Sequence, residues 1–374
     1  MKFTIERDVL TEAVGWTARS LSPRPPVPVL SGLLITAADG EVSIASFDYE
    51  TSAKLKVSAV IEEEGTALVS GRLLAEICRA LPNSAVNVSV HESKMHIQCR
   101  TASFNLSTMP VADYPELPAL PTISGTIDGN SFAKSVSQVV VAASKDDTIP
   151  LLTAILVEIE GKKMTLFATD RYRLAMRELT WEPASKNIKT SVLVKAKTMS
   201  EVAKTLGGAG DLNIALSDSH ELIGFESGGR RTTSLLVDGE YPKIRSLFPD
   251  STPIHAIVRT SDLLEAVRRV SLVAERNTPV RLVFAEGQVS LDAGTGEDAQ
   301  ATETLSAHLE GEDNITVAFN PSYLSEGLNS FGTEFVRFSF TDPAKPASIS
   351  GQKELMGEDE SDYRYLLMPV RLPN

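Results

Sequence analysis

The residues with the widest chemical repertoire in this chain are five histidines and two cysteines, and their spacing decides what they can do. His91 and His96 are an odd number of positions apart, so any strand continuing through both points them to opposite faces. A metal site needs ligands that converge, and this pair does not. Cys78 sits at an apolar helix position and Cys99 in a strand-like run, which predicts two buried thiols in a reducing compartment rather than a disulfide. The stretch "DAGTGED" from Asp292 to Asp298 offers carboxylates and glycines but lacks the twelve-residue calcium-loop pattern, so it reads as a solvated turn. There is no phosphate loop, nucleophile elbow or paired-histidine zinc signature. No two carboxylates stand out for acid–base work. The sequence therefore predicts no catalytic residue, no metal and no cofactor, and an enzyme is disfavoured.

The cations carry more information. Net charge is −13, opposite in sign to the usual footprint of a nucleic-acid binder, so their placement matters more than their number. Arg72 and Arg79 are seven positions apart and share one face of a predicted helix. Lys197 and Lys204 recur at the equivalent positions of a second helix. In a third copy these positions are Ser322 and Asn329, while the preceding helix carries Arg268, Arg269 and Arg276. Lys195, Lys134 and Arg19 add to the helical set. Acidic runs such as Glu62–Glu64 and "GEDESD" fall between strands. Two readings stand: ordinary solvated helix faces, or one shared surface for an anion.

A second local feature is "ATDRYRLAM". Where an earlier stretch reads "SFDYETSAK", Asp170 matches Asp48, but Arg171-Tyr172-Arg173-Leu174 replaces Tyr49-Glu50-Thr51-Ser52. A bulky, cationic, partly apolar segment beside a turn suits a pocket rim or a half-buried edge strand.

These features sit on a threefold internal repeat. Its first helix shows the same apolar face three times: Leu10, Ala13, Val14 and Leu21; then Phe132, Val136, Val139, Val140 and Ala143; then Leu263, Ala266, Val267, Val270 and Ala274. Asp8, Asn130 and Ser261 are the expected N-caps. The second helix repeats as Leu74, Ile77, Cys78, Leu81, then Met199, Val202, Ala203, Leu206, then Leu324, Gly327, Leu328, Phe331. A β-type run precedes each second helix ("TALVS", "SVLVK", "ITVAF"). Between the two helices lies a strand–turn–strand pattern ("GLLITAADGEVSIASFD", "AILVEIEGKKMTLFATD", "RLVFAEGQVSLDAG"). A last strand closes each copy: "FNLSTMP", "TSLLVDG" and "YRYLLMPV". Pro-rich joints, "YPELPALP" and "FPDSTP", separate the copies. The expected fold is α+β: three tandem homologous domains, 1–121, 122–252 and 253–374, each with two helices packed on antiparallel sheet. The apolar run near the C-terminus is then a core strand and not a tail.

Composition agrees. With 374 residues, 42% hydrophobic and 23% charged, the chain suits two or three globular domains. No stretch approaches eighteen uninterrupted apolar residues, so no membrane-spanning helix is expected. The charged start "MKFTIERDVL" is unlike a signal peptide, and the expected location is the cytoplasm.

Taken together, "MKFTIERDVL", "RPPVPVLSGLL", "ICRALP", "ATDRYRLA", "LVDGEYPKIRSLFP", "FNPSYL" and "YLLMPVRL" resemble the bacterial β sliding clamps, the processivity subunit of the replicative DNA polymerase. The similarity runs the whole length and keeps the order of the motifs. It implies a head-to-tail homodimer, a ring of six domains around duplex DNA with helices lining the hole, bound topologically and without sequence preference. Helices about 10 Å wide give one chain a lining of roughly 60 Å and a free bore of only about 9 Å. Twelve helices give roughly 120 Å and a bore near 28 Å, which admits a duplex. One chain cannot encircle DNA; two can.

The resemblance further implies DNA-facing roles for Arg24, Arg72, Arg79, Lys195, Lys197 and Lys204. It implies a hydrophobic pocket for short linear motifs of the polymerase, the clamp loader and repair proteins. Its lining would be Leu152, Thr169, Tyr172, Arg173, Leu174, Pro242, Leu247, Asn320, Tyr323, Met368, Pro369, Val370, Arg371 and Leu372. Arg171-Tyr172 stands where the family usually has a small residue and histidine, Ser246 where a base is common, and Pro373-Asn374 extends past the usual end. The dimer seam would bring Phe104 and Leu106 to Leu272 and Val273, which as bare sequence are equally core residues. The rival reading is a repeat-built peptide-binding adaptor that does not encircle DNA.

Overall fold

The structure is a computed structural model, and it describes residues 1–208, 210–249, 251–274, 278–294 and 299–371. One order of elements occurs three times. The first repeat runs Lys2–Ile5 (β1), Arg7–Thr17 (α1), Gly32–Ala38 (β2), Glu41–Phe47 (β3), Thr51–Ser58 (β4), Val60–Glu63 (β5), Gly65–Ser70 (β6), Gly71–Ala80 (α2), Val86–His91 (β7), Lys94–Cys99 (β8) and Ala102–Met109 (β9). The second runs Ile123–Asp128 (β10), Gly129–Val140 (α3), Ala154–Glu160 (β11), Lys163–Thr169 (β12), Arg173–Thr180 (β13), Glu182–Pro183 (β14), Lys189–Lys195 (β15), Ala196–Leu206 (α4), Asp211–Leu216 (β16), Leu222–Ser227 (β17) and Arg230–Leu235 (β18). The third runs Ile254–Arg259 (β19), Thr260–Val270 (α5), Val280–Ala285 (β20), Gln288–Ala293 (β21), Ala301–Glu310 (β22), Asn314–Phe319 (β23), Pro321–Ser330 (α6), Phe335–Phe340 (β24), Ala347–Gln352 (β25) and Asp359–Leu367 (β26).

Both predicted helices, the hairpin, the run before the second helix and the closing strand recur in each copy. Each copy also has a leading strand, a third strand after the hairpin, and a second hairpin behind the second helix. These lie in short alternating segments whose period is easily masked by neighbouring turns. The expected N-caps are corrected. α1, α3 and α5 start at Arg7, Gly129 and Thr260, which puts Asp8, Asn130 and Ser261 inside the first turn. The reason is that a strand runs almost directly into each of these helices. In two of them the leading amide then finds a backbone carbonyl instead of a side chain: Gly129 N–H donates to Gly210 O at 3.0 Å and Thr260 N–H to Glu334 O at 2.8 Å. α6 does carry a side-chain cap, Asn320, with Pro321 opening the helix, the placement that suits a residue lacking an N–H.

The described chain forms two compact units. The first comprises Met1–Asn130, Glu182–Ser185 and Glu201–Leu236; the second comprises Ser131–Trp181, Lys186–Ser200 and the chain from Val237 onward. The first holds one antiparallel sheet in the order β14-β10-β16-β17-β18-β4-β3-β2-β6-β9-β8-β7-β1-β5. α1 and α2 pack side by side over β2, β3, β4 and β6. The second holds the order β15-β11-β12-β13-β26-β25-β24-β19-β22-β21-β20-β23, with α5 and α6 paired upon it. The strands of the middle repeat are thus divided between the two sheets.

The same junction appears in both units. The closing strand of one repeat pairs with the third strand of the repeat before it: β18 with β4, Ser234 opposite Thr51, and β26 with β13, Leu367 opposite Arg173. The helix faces are buried as their spacing predicts, with Leu10, Ala13, Val14, Leu74, Cys78, Leu263, Val267 and Leu328 in the cores. An aromatic group of Phe284, Phe319, Phe338 and Phe340 fills the third repeat. Cys78 and Cys99 are both buried free thiols.

Backbone meets backbone closely at Gly129. A Cβ there would stand 2.4 Å from Gly210 O and 2.5 Å from Gly207 O. Gly129→Ala is expected to cost about 1–3 kcal/mol by overpacking, read as a lower midpoint in thermal or urea unfolding; an unchanged midpoint would show that the α3 entry can relax.

Candidate functional site

In the second unit, β12 and β13 are joined by a turn built on Asp170. Its Oδ1 accepts the N–H groups of Tyr172 at 3.0 Å and Arg173 at 3.1 Å. Thr169 Oγ1 donates to Arg173 O at 2.7 Å and accepts the Arg171 N–H at 3.2 Å. The turn forces Arg171 to φ +80°, a left-handed conformation that glycine adopts without cost and other residues do not. The first repeat builds the same turn on Asp48, which accepts from Glu50 and Thr51, with Tyr49 at φ +74°. Tyr241 secures the second-repeat turn from behind: its hydroxyl accepts the Thr169 N–H at 3.1 Å. Burial pushes the Tyr241 phenol up to about 12.

Around this turn the expected pocket residues separate into a floor and a lip. Leu152, Thr169, Arg173 and Leu174 are buried. Leu152 and Leu174 belong to a core with Phe167, Met176, Leu193, Tyr241, Ile244 and Leu366. They are therefore floor and not open lining, because the segment after Val237 packs over Leu174 on β13 and over Leu152 in the turn before β11. The lip is apolar and exposed: Tyr172 at 55%, Leu247 at 53% and Met368 at 43%, with Pro242 also exposed. β26 ends at Leu367, and the residues after it are held by backbone bonds. Met368 N–H donates to Tyr172 O at 2.9 Å and Val370 N–H to Ala318 O at 2.8 Å. Pro369 and Val370 are half-buried and Arg371 is exposed; Leu372, Pro373 and Asn374 lie outside the described residues.

On the α6 side, Asn320 Oδ1 accepts the N–H groups of Ser322 and Tyr323 at 2.9 and 3.2 Å, so its side chain is engaged in capping. The Tyr323 ring stacks with Tyr172 at 6.1 Å between centroids. Such offset pairs contribute about 0.5–1.5 kcal/mol beyond area. Sequence reasoning missed Tyr241, Tyr365 and Glu326 as supports of this site. A signal for Tyr241 was present: a Tyr-Pro pair opens both regions, Tyr114-Pro115 and Tyr241-Pro242.

The cations divide by element. Those on the sheets are mostly neutralised, as in Lys56–Glu41, Lys163–Glu178, Lys189–Glu160, Arg231–Glu226 and Arg281–Asp292. Arg72 and Arg79 on α2, Lys197 in the first turn of α4, and Arg24 in the Pro-rich loop are exposed. Among the described residues these four have no ion-pair partner. Lys204 is exposed and meets Glu201 at 3.7 Å, and Lys195 is half-buried at the end of β15. In the third repeat Arg269 is held by Glu303 and Glu265, and Arg268 reaches Asn329. Arg276 lies outside the described residues.

Of the expected seam residues, Leu272 is 84% exposed and Phe104 and Val273 are half-buried. Leu106 is corrected: it is buried in its own sheet opposite Met95, because it falls on the inward face of β9. No group of three or more His, Cys, Asp or Glu side chains is arranged to hold a metal among the described residues. His91 and His96 lie on separate strands of one hairpin, and His96 Nδ1 meets Asn105. Residues 295–298 of the "DAGTGED" stretch lie outside the described residues. No helix is long and apolar enough to cross a membrane among the described residues.

Three copies of one α+β unit, joined through sheet seams, define a clamp-type chain. Family models of the DNA polymerase III β subunit match throughout: the N-terminal domain over 1–118, the central domain over 126–243 and the C-terminal domain over 245–371. The chain belongs to this family, the bacterial β sliding clamps. It is 64% identical over 310 residues to the β sliding clamp of Micrococcus luteus, covering 83% of this chain and all of that one. It is 50% identical to that of Streptomyces coelicolor over the full length of both. The sliding clamp of Bacillus subtilis superposes with a TM-score of 0.93 at 27% identity, and that of Pseudomonas aeruginosa bound to griselimycin with 0.91 at 28%, each over the whole of both chains.

Arg171 stands in a backbone conformation suited to glycine. Arg171→Gly is expected to raise the unfolding midpoint, by roughly 0.5–1 kcal/mol once the added unfolded-state freedom of glycine is subtracted. Differential scanning calorimetry of both proteins reads this directly; a lower midpoint would mean that contacts of the arginine outweigh the strain.

Proposed function

We propose that two copies of this chain close head to tail into a ring that encircles duplex DNA and tethers the replicative polymerase, as a non-catalytic cytoplasmic processivity factor. The observation that carries this reading is the open end of the seam series. β4 is paired by β18 and β13 by β26, so the rule assigns β22 a closing strand too, and among the described residues no closing strand pairs with it. β22 bonds β21 over Ala301–Ser306 and β19 only over Ala307–Glu310. β9 bonds β8 over Ala102–Ser107 and β6 only at Thr108 and Met109. Each strand thus keeps part of one edge unpaired among the described residues. A free edge is a template for another strand, and β9 is the closing strand that pairs with no other repeat among the described residues. A heterologous contact of this kind either closes or runs on as a filament; six domains close on a bore wide enough for DNA.

The bare cations on α2, α4 and the Arg24 loop suit a lining that meets phosphates without gripping them. A sliding ring is retained by topology, so many strong phosphate contacts would only hold it in place. The domain limits 1–121, 122–252 and 253–374 belong to this reading, as does the use of the Tyr172–Tyr323–Met368 site by short linear motifs of polymerase, clamp loader and repair proteins. An extended peptide suits an apolar surface with a few orienting polar groups.

Two measurements test it. The wild type should run as a dimer at micromolar concentration in analytical ultracentrifugation, and Leu272→Asp should run as a monomer; a wild-type monomer sinks the ring. On nicked circular DNA, Arg24→Glu with Lys197→Glu should shorten retention about tenfold or more while folding is unchanged, and linearisation should release the wild type. Retention of the double variant equal to wild type would remove those residues from the lining.

A further inference from the structure

By family resemblance Arg173 is part of the partner-binding site, yet it has almost no surface to offer one. Its side chain is 3% exposed. Nε donates to Asp170 Oδ2 at 2.9 Å, and Nη1 to Glu326 Oε2 at 2.5 Å and to the Tyr365 hydroxyl at 3.5 Å. The guanidinium carbon lies 4.3 Å from the centre of the Tyr323 ring. Burial works to discharge this arginine, but Tyr365, Glu326 and Asp170 outweigh it and hold its pKa above the ordinary value.

We propose that Arg173 is a positioning residue that never touches the bound partner and acts through Tyr323. The proposal rests on the reading of the Tyr172–Tyr323–Met368 surface as the partner site. The geometry is a clip between two elements. Asp170 builds the turn that presents Tyr172, and through Arg173 it is tied to Glu326, one turn along α6 from Tyr323. The Tyr365 hydroxyl donates to Tyr323 O at 2.9 Å and accepts from Arg173 Nη1, so Arg173 meets the ring of Tyr323 directly and its backbone through Tyr365. Tyr323 is then fixed where it stacks with Tyr172, and the two rings form a surface prepared before a partner arrives, which lowers the ordering cost of binding. The planar fork matters here: one guanidinium serves two carboxylates and a ring face together, which a lysine ammonium cannot. Glu326 also meets Lys145 at 3.6 Å through its other carboxylate oxygen.

A purely structural ion pair would affect stability without singling out Tyr323, and a double-mutant cycle separates the two cases. The full-length dimer is titrated with a fluorescein-labelled peptide spanning the clamp-binding segment of the replicative polymerase, well below the melting point of every variant. Arg173→Gln and Tyr323→Ala should each weaken binding about tenfold, and the double variant should be no more than about twofold weaker than Tyr323→Ala alone. With 3-fluorotyrosine placed at position 323, the ¹⁹F resonance should shift and broaden in Arg173→Gln. Arg173→Lys should give an intermediate resonance and about threefold weaker binding, and it carries the same test should Arg173→Gln not fold. Binding by Arg173→Gln within twofold of wild type, losses that multiply in the double variant, or an unmoved ¹⁹F signal would each overturn the proposal. If the wild type does not bind the peptide, the partner-site reading fails, and the fluorine signal still decides whether Arg173 positions Tyr323.

Discussion

Backbone hydrogen bonding at the edges of the two sheets is the constraint on which the remaining structure depends. A strand edge leaves a row of donors and acceptors that must be paired or wetted. Here the closing strand of a repeat meets this demand by pairing with the third strand of the repeat before it. The seam between Thr51–Leu55 and Arg230–Ser234 and the seam between Arg173–Arg177 and Tyr363–Leu367 are the same antiparallel register, used twice. Because pairing inverts side-chain facing with every one-residue slip, a fixed register also fixes which side chains emerge beside each seam. The site around Tyr172 and Met368 is a product of that register. Met368 N–H bonds Tyr172 O immediately beyond the last strand pair, as Leu235 N–H bonds Glu50 O in the first unit.

Charge follows from the same architecture. A body of net charge −13 disperses well but repels DNA at a distance. Cross-strand pairs on the sheets spend most of their lysines and arginines on neighbouring carboxylates, a stabilisation worth little per pair at exposed positions. On the helices α2 and α4, Glu76 and Glu201 lie at i,i+4 spacing from Arg72 and Lys197, yet Arg72, Arg79 and Lys197 form no ion pair among the described residues, so those charges stay available. The acidic total and a locally basic helical surface are therefore compatible.

Much of this was legible in the sequence because helical periodicity survives divergence. The apolar faces of α1, α3 and α5 were visible from Leu10, Phe132 and Leu263 onward, and the hairpins from alternation around a glycine turn. The helix starts were not, because strands that feed straight into helices use backbone carbonyls such as Gly210 O and Glu334 O instead of a capping side chain. Seams were invisible for a different reason. Pairing between strands some 180 residues apart leaves no local period, so the division of the middle repeat between two sheets could not be read from spacing. The candidate site was legible in its exposed members, Tyr172, Leu247 and Met368. Its floor was misjudged: Arg173 and Thr169 have polar side chains, and only the structure shows them buried with partners supplied by Asp170, Glu326 and the Arg173 carbonyl.

Divergence between repeats, more than their likeness, distinguishes the proposed partner site. Both seams place a turn built on an aspartate beside an exposed apolar residue, Leu235 in one unit and Met368 in the other. At the first seam Thr51 occupies the position that Arg173 holds at the second, Glu50 that of Tyr172, and Phe47 that of Thr169. A threonine cannot bridge two carboxylates or support a ring, and there Tyr49 rests edge-on against Phe47 at 5.9 Å instead. The seam alone is a solution to a backbone problem and recurs wherever a repeat meets the next. In the proposed recognition surface a buried guanidinium also fixes two aromatic rings, and among the described residues that combination occurs at the turn at Asp170.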